Sequence, residues 1–219
     1  MERQSMTITI SRQMGSDGTL IGRKVAEFLG FSYIDREILR QTANLLNRDE
    51  IALEEYDGKS SGFIQNLLRT FVLGTPETST YMAMERPIYD SDLFALESKI
   101  MKEIVARGNT VIIGRAGFSV LKGRPETVHL FIYAPADYRV NQMMKSEDIT
   151  NLRQAQAKVE ESDRRRTKFI KDMVGTDWTD AQNYNLCIDS SIMDVNKNVQ
   201  MVTDFVKTAL SIEEGAKNT

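Results

Sequence analysis

Among its 219 residues the chain has one cysteine, Cys187, and one histidine, His129. A lone thiol cannot close an internal disulfide, so a reducing setting is expected and the chain reads as cytoplasmic. Without a Cys/His cluster, a protein-built zinc site is not expected. Long apolar runs are missing too. No stretch reaches the roughly 18 apolar residues that a spanning helix needs, and the first residues lack the apolar run of a signal peptide. Neither sign of charge dominates: the formal net charge is −3, which argues against a general nucleic-acid or membrane-surface binder. There is no internal repeat and no low-complexity segment. What remains is an ordinary soluble globular composition, 41% apolar and 27% charged, of a length for one large domain or one domain with a sizeable insert.

The most informative stretch lies near the start, Met6-Thr7-Ile8-Thr9-Ile10-Ser11-Arg12-Gln13-Met14-Gly15-Ser16-Asp17-Gly18-Thr19-Leu20-Ile21-Gly22-Arg23-Lys24. Its β-branched beginning predicts a buried strand over about Met6–Ile10. After Gly18, the residues Leu20, Ile21, Val25 and Leu29 recur at helical spacing, and Gly30 ends the run. Strand, glycine turn and helix together make a phosphate-binding layout, in which free N–H groups at the helix start face an anion. The strict G-x-x-x-x-G-K-[ST] pattern is missing, and no lysine stands where it requires one. Gly58-Lys59-Ser60 imitates its end, but Leu53 stands where the first glycine should be and no strand precedes it, so this is read as a turn.

Further on, Phe31–Ile34, Thr110–Ile113, Val128–Tyr133 and Leu186–Ile188 read as strands. Helices are expected between them, with a long one over about 151–173 and a closing one carrying Val195, Val199, Val202 and Val206. Between about Arg48 and Asp92 the rhythm stops, and helical fragments suggest an insert. Strands alternating with helices predict an α/β fold with a parallel sheet, whose ligand site lies beyond the carboxyl ends of the strands. The residues expected at that rim are Ser11 to Thr19, Asp35, Arg36, Gly114, Arg115 and Asp189. Two arginines beside a glycine turn point to a phosphorylated ligand. On the long helix, Leu152, Ala155, Val159 and Ile170 form an apolar stripe interrupted by Asp163, Arg164, Arg165 and Arg166. There Arg164, Lys168 and Lys171 share one face.

The segments I-S-R-Q-M-G-S-D-G-T-L-I-G-R-K, L-G-F-S-Y-I-D-R-E-I-L, V-I-I-G-R-A-G, V-H-L-F-I-Y-A-P-A-D-Y-R-V, E-S-D-R-R-R-T-K-F-I-K and D-W-T-D-A-Q-N-Y-N-L-C-I-D-S resemble, in order and spacing, the cytidylate kinase-like family of P-loop nucleoside monophosphate kinases. The resemblance implies a P-loop NTPase three-layer α/β/α sandwich with a five-stranded parallel sheet. It implies one domain over residues 1–219: a core of about 1–35 and 93–219, a helical monophosphate-binding insert of about 36–92, and a lid of about 151–173. It also implies ATP and Mg²⁺ as cofactors and a nucleotide substrate, with neither nucleic acid nor membrane as partner.

In that frame Ser11, Gln13, Gly15, Ser16, Asp17, Gly18 and Thr19 would hold the nucleotide's phosphates, with the Thr19 hydroxyl on Mg²⁺. Asp35, Arg36 and Arg115 would bind the acceptor, Arg115 through its phosphate. Asp163 and Arg166 match the lid's D-x-x-R pattern, which ranks Arg166 ahead of Arg164. Gly18 replaces the P-loop lysine, and Arg12, at the carboxyl end of the same strand, is expected to stand in for it. Ordinary cytidylate kinases have Asp after the acceptor arginine. Here it is Ala116, so a cytidine acceptor does not follow. The expected activity is transfer of the γ-phosphoryl group of ATP to a nucleoside monophosphate or similar small phosphorylated acceptor. The alternative is a non-catalytic nucleotide-binding module on a kinase scaffold.

Overall fold

The computed structural model describes residues 5–48 and 90–216. Five strands form one sheet: β1 (Thr7–Arg12), β2 (Ser32–Ile34), β3 (Thr110–Ile113), β4 (Thr127–Tyr133) and β5 (Leu186–Asp189). Their order is β2-β3-β1-β4-β5, and every pairing is parallel. The expected five-stranded parallel sheet is therefore the one the chain forms. The helices are α1 (Gly18–Leu29), α2 (Arg36–Arg48), α3 (Asp90–Arg107), α4 (Gly117–Val120), α5 (Ala136–Ser146), α6 (Leu152–Val174) and α7 (Val195–Ala216).

Side chains alternate between the two faces of the sheet, as period two requires. Ile8 and Ile10 of β1, Val111 and Ile113 of β3, and Leu130 and Ile132 of β4 meet Ile21 and Val25 of α1 and Val202 and Val206 of α7 on one face. Ile34 and Ile112 point the other way, toward Leu39 of α2 and Ile100, Met101 and Ile104 of α3. Further along that face, Phe131 packs with Phe118, Ile170 and Trp178. Strands covered on both sides explain why the sequence shows continuous apolar runs rather than alternation.

One local reading changes. β1 runs two residues beyond Ile10, because its pairing with β4 continues through Ser11↔Phe131 and Arg12↔Ile132. That carries Arg12 to the rim inside a strand. A one-turn helix, α4, follows Gly114-Arg115-Ala116. α2, at the start of the expected insert, packs through Leu39 against α3. The rest of the expected insert, including Gly58-Lys59-Ser60, falls on 49–89, outside the described residues.

Candidate active site

β1 is central, and its carboxyl end runs into the turn Gln13–Asp17. The turn is fixed from below. Ser16 is fully buried, and its hydroxyl donates to the carbonyls of Gln13 (2.9 Å) and Ile132 (3.2 Å). The Ser190 hydroxyl donates to the Ser16 carbonyl at 2.7 Å. Gln13 Oε1 accepts from the Ala134 N–H at 3.3 Å. Gly15 has φ +77°, and a Cβ there would lie 2.3 Å from the Arg139 carbonyl oxygen. Asp17 begins α1 at φ 55° without capping the helix through its side chain, and its Oδ2 accepts from the Tyr138 hydroxyl at 2.9 Å. Among the described residues, the N–H groups of Met14, Gly15, Asp17, Gly18 and Thr19 have no acceptor. An uncapped helix start with several free N–H groups is a seat for an anion.

Arg12 lies across this seat. Its Nε donates to Thr19 Oγ1 at 3.2 Å. A Cβ on Gly18 would stand 2.5 Å from Arg12 Cβ, and one on Gly114 would stand 2.3 Å from Arg12 Nη1. Gly18, Thr19 and Gly114 thus form the trough in which the arginine lies. Burial lowers its pKa and the charge of Arg36 adds to this, while Tyr33 and Asp35 oppose. The group stays cationic.

A second guanidinium comes from α6. Arg166 is held 5.1 Å over the Trp178 ring and 3.7 Å from Asp163. Burial above all, then the like charge of Arg12, brings its pKa down to about 10, with Arg139 and Arg36 adding to the effect. Asp163 is already shared: its Oδ2 accepts from Arg139 Nη1 at 2.7 Å. Arg139 Nη1 also reaches the Met14 carbonyl at 3.5 Å, which ties α6 to the phosphate turn. Arg12, Arg36, Arg139 and Arg166 therefore gather positive charge beyond what Asp163 balances.

Arg115 sits on a backbone turned left-handed at three successive residues, Gly114 (φ 76°), Arg115 (51°) and Ala116 (54°). Its Nε donates to Glu97 Oε2 at 2.7 Å, and Nη2 closes on the same oxygen. The guanidinium stacks 4.4 Å over Phe169 of α6. Glu97 is buried, which raises its pKa, while Arg115, Arg36 and Arg40 pull it back. Ala116 is buried among Phe118, Phe131 and Trp178 and offers no polar group to a base.

The other expected residues fall as follows. Ser11 is buried at the end of β1, beside the Tyr184 hydroxyl. Asp35 Oδ1 caps α2, accepting from the N–H groups of Glu37 (3.0 Å) and Ile38 (3.2 Å). Arg36 is exposed beside it. Asp189 Oδ1 is taken up locally by Ser191. Arg164 is not brought to the cluster, because its guanidinium pairs with Glu161 on the exposed side of α6. Lys168 pairs with Asp172, and Lys171 donates to the Gly175 carbonyl.

Sequence reasoning missed Glu97, Arg139, Tyr138 and Trp178. Glu97 left a signal, an acid within the apolar stripe of Leu93, Leu96, Ile100 and Ile104. The others left none outside the resemblance.

The Mg²⁺ expected on Thr19 does not fit this donor set. Oγ1 already accepts from a guanidinium. An ion at the usual distance of about 2.1 Å from that oxygen would face Arg12 Nε from no more than about 5 Å. β3 ends at Ile113 and is followed by Gly114, so it offers no carboxylate of the Walker-B kind. No group of three His, Cys, Asp or Glu side chains is placed to hold a metal among the described residues. No helix among them is long and apolar enough to cross a membrane.

The chain is 24% identical over 196 residues to a cytidylate kinase of Methanopyrus kandleri, covering 85% of this chain and 86% of that one. Among solved structures it matches an uncharacterized protein from Eubacterium ventriosum with a TM-score of 0.68 at 18% identity, over 93% of this chain and 99% of the other. It matches a gluconokinase from Sinorhizobium meliloti with a TM-score of 0.53 at 12% identity, over 98% and 99%. The fold is that of the P-loop kinases. The profile described as the cytidylate kinase-like family matches residues 7–192. That span takes in the phosphate turn, Arg12, Arg115 and the whole arginine-bearing helix, and the chain belongs to the cytidylate kinase-like family.

Proposed function

We propose that the protein transfers the γ-phosphoryl group of ATP to a nucleoside monophosphate or a similar small phosphorylated acceptor. The observation that carries this reading is that Arg12 of β1 lies across the turn on Thr19, while Arg166 of α6 is tied to the same turn through Asp163 and Arg139, beside its free N–H groups. Guanidinium groups held together without matching carboxylates are costly to bury unless an anion joins them. A triphosphate supplies it.

In the reaction an oxygen of the acceptor's phosphate attacks the γ-phosphorus. The bond to the β,γ-bridging oxygen breaks, and ADP leaves. The chain's part is positioning and charge stabilisation. The turn's N–H groups hold the donor phosphates, and Arg12 and Arg166 stabilise charge on the transferring group. Arg115, whose Nε and Nη2 are on Glu97, takes the acceptor's phosphate through Nη1. Arg36 and Asp35 border the acceptor side, where the insert of about 36–92 begins. The 151–173 segment acts as the lid.

The buried Ala116 supports an acceptor not chosen through a pyrimidine contact at that position. The lost lysine favours the second reading, a module that binds nucleotide without turnover. One experiment separates them: a turnover assay with ATP and a panel of nucleoside monophosphates and small phosphorylated acceptors. Phosphorylation of any member supports the kinase. ATP binding without turnover across the panel supports the module.

A further inference from the structure

In P-loop NTPases, Mg²⁺ is held between the hydroxyl of the phosphate-loop Ser/Thr and the Walker-B Asp of a neighbouring strand. In this chain that gap lies between Thr19 and the carboxyl end of β3, and the side chain of Arg12 lies in it. We propose that Arg12, with Arg166, takes the place of the protein-held divalent cation, so that the phosphates of a nucleoside triphosphate bind without a metal anchored on the chain. The inference rests on the nucleotide reading above and deepens it.

Several independent features fit together. Arg12 Nε is on Thr19 Oγ1 at 3.2 Å, the oxygen that would otherwise bind the ion. Nη1 reaches Gly114, where any Cβ would stand 2.3 Å away, so the residue following β3 is one that makes room for the guanidinium. The last residue of β3 is Ile113, fully buried and apolar, where a metal site needs an acid. Gly18 is small for the same reason: a side chain there would strike Arg12 Cβ at 2.5 Å. A lysine at 18 and an arginine lying as Arg12 does exclude each other. The missing lysine and the missing carboxylate are thus two consequences of one side chain.

Charge balances as well. Arg12 and Arg166 together carry the two positive charges of one divalent ion. Among the described residues, Arg166 Nη1 is buried without a hydrogen-bond partner, leaving a donor for a phosphate oxygen. A guanidinium presents its donors in a fixed planar fork, which suits it to grip two phosphate oxygens at once.

Calorimetric titration of the full chain with ATP, once in excess EDTA and once in excess Mg²⁺, tests this. The expected result is comparable affinity in both buffers. Arg12→Met, which keeps the apolar stem in its trough and removes the charge, should lower the metal-free affinity by roughly 10²-fold. A loss of wild-type affinity of about tenfold or more in EDTA, or an Arg12→Met protein with unchanged metal-free affinity, overturns the proposal. Failure of the wild-type protein to bind ATP in either buffer overturns the nucleotide reading itself, a result distinct from a loss confined to EDTA. The wild-type titrations decide the matter even if the variant does not fold.

Discussion

Gly15 and Gly30 both hold positive φ, 77° and 67°, yet their surroundings differ. Among the described residues, nothing beyond its chain neighbours lies within 4 Å of a Cβ built on Gly30, whereas one on Gly15 meets the Arg139 backbone at 2.3 Å. Gly30→Ala should therefore cost only the left-handed conformation, about 1 kcal/mol. Gly15→Ala adds a clash with a carbonyl that cannot retreat without moving α5, for a total of about 3 kcal/mol or more. It should also weaken ATP binding, because the turn must open where its N–H groups converge. Denaturant titration of both variants, with ATP titration of any that folds, checks this. Equal losses would show that Arg139 does not pin the turn. Arg139 and Tyr138, neighbours on α5, grip the turn through a carbonyl and through Asp17, so its shape is set by a helix more than a hundred residues away in sequence.

At the scale of elements, α6 has two distinct faces. On its exposed side Arg164 and Arg165 pair with Glu161 and Lys168 with Asp172, all within the helix. Such pairs are worth little in water. The inward face matters more. Ala155 and Val159 pack on Val140 and Met143 of α5, and Phe169 and Arg166 reach Arg115 and Trp178. Trp178 is buried, and its Nε1–H donates to Thr167 Oγ1 at 3.0 Å. Trp178→Phe should cost about 1 kcal/mol through that hydrogen bond, and Trp178→Ala about 3–5 kcal/mol through the cavity. As the single tryptophan of the chain, it should also report on the site. ATP drawing Arg166 off the ring should change the emission, and Arg166→Ala should abolish the change. Emission that ignores saturating ATP would place Arg166 outside the nucleotide site.

For the whole molecule the central seam is β1 against β4, and it contains the single histidine. His129 Nδ1 shares a 2.7 Å hydrogen bond with Thr9, its cross-strand neighbour. Burial lowers its pKa from 6.5 to about 4, so the folded protein keeps it neutral where the unfolded chain takes up a proton. Stability is therefore untouched above pH 6.5, falls as the pH drops from 6.5 toward 4, and stops falling from this source below 4. The loss should be about 2 kcal/mol after discounting for partial exposure. Denaturant midpoints of wild type and His129→Gln across that range check it: the variant should lack this part of the slope. Parallel slopes would show that the imidazole does not titrate with folding.

The sequence alone determined the alternation of strands and helices, because the apolar periods that form each element are local. It also marked the glycine turn, since a chain that must bend sharply and bare its N–H groups needs glycine in place. Glu97 was visible as an acid among apolar neighbours, but not its partner. Tertiary structure decided which arginines face the turn and which face water. Helical spacing places Arg164 and Arg166 on α6 equally well, and only the packing of Ala155, Val159 and Ile170 turns Arg166 inward and Arg164 to water. It also decided where Arg12 goes. The sequence put it at a strand end with reach enough for a phosphate. Its resting place depends on Gly114, which parallel pairing of β1 with β3 brings alongside from about a hundred residues away. Local propensity cannot encode a contact whose two halves meet only when the register of the sheet is set.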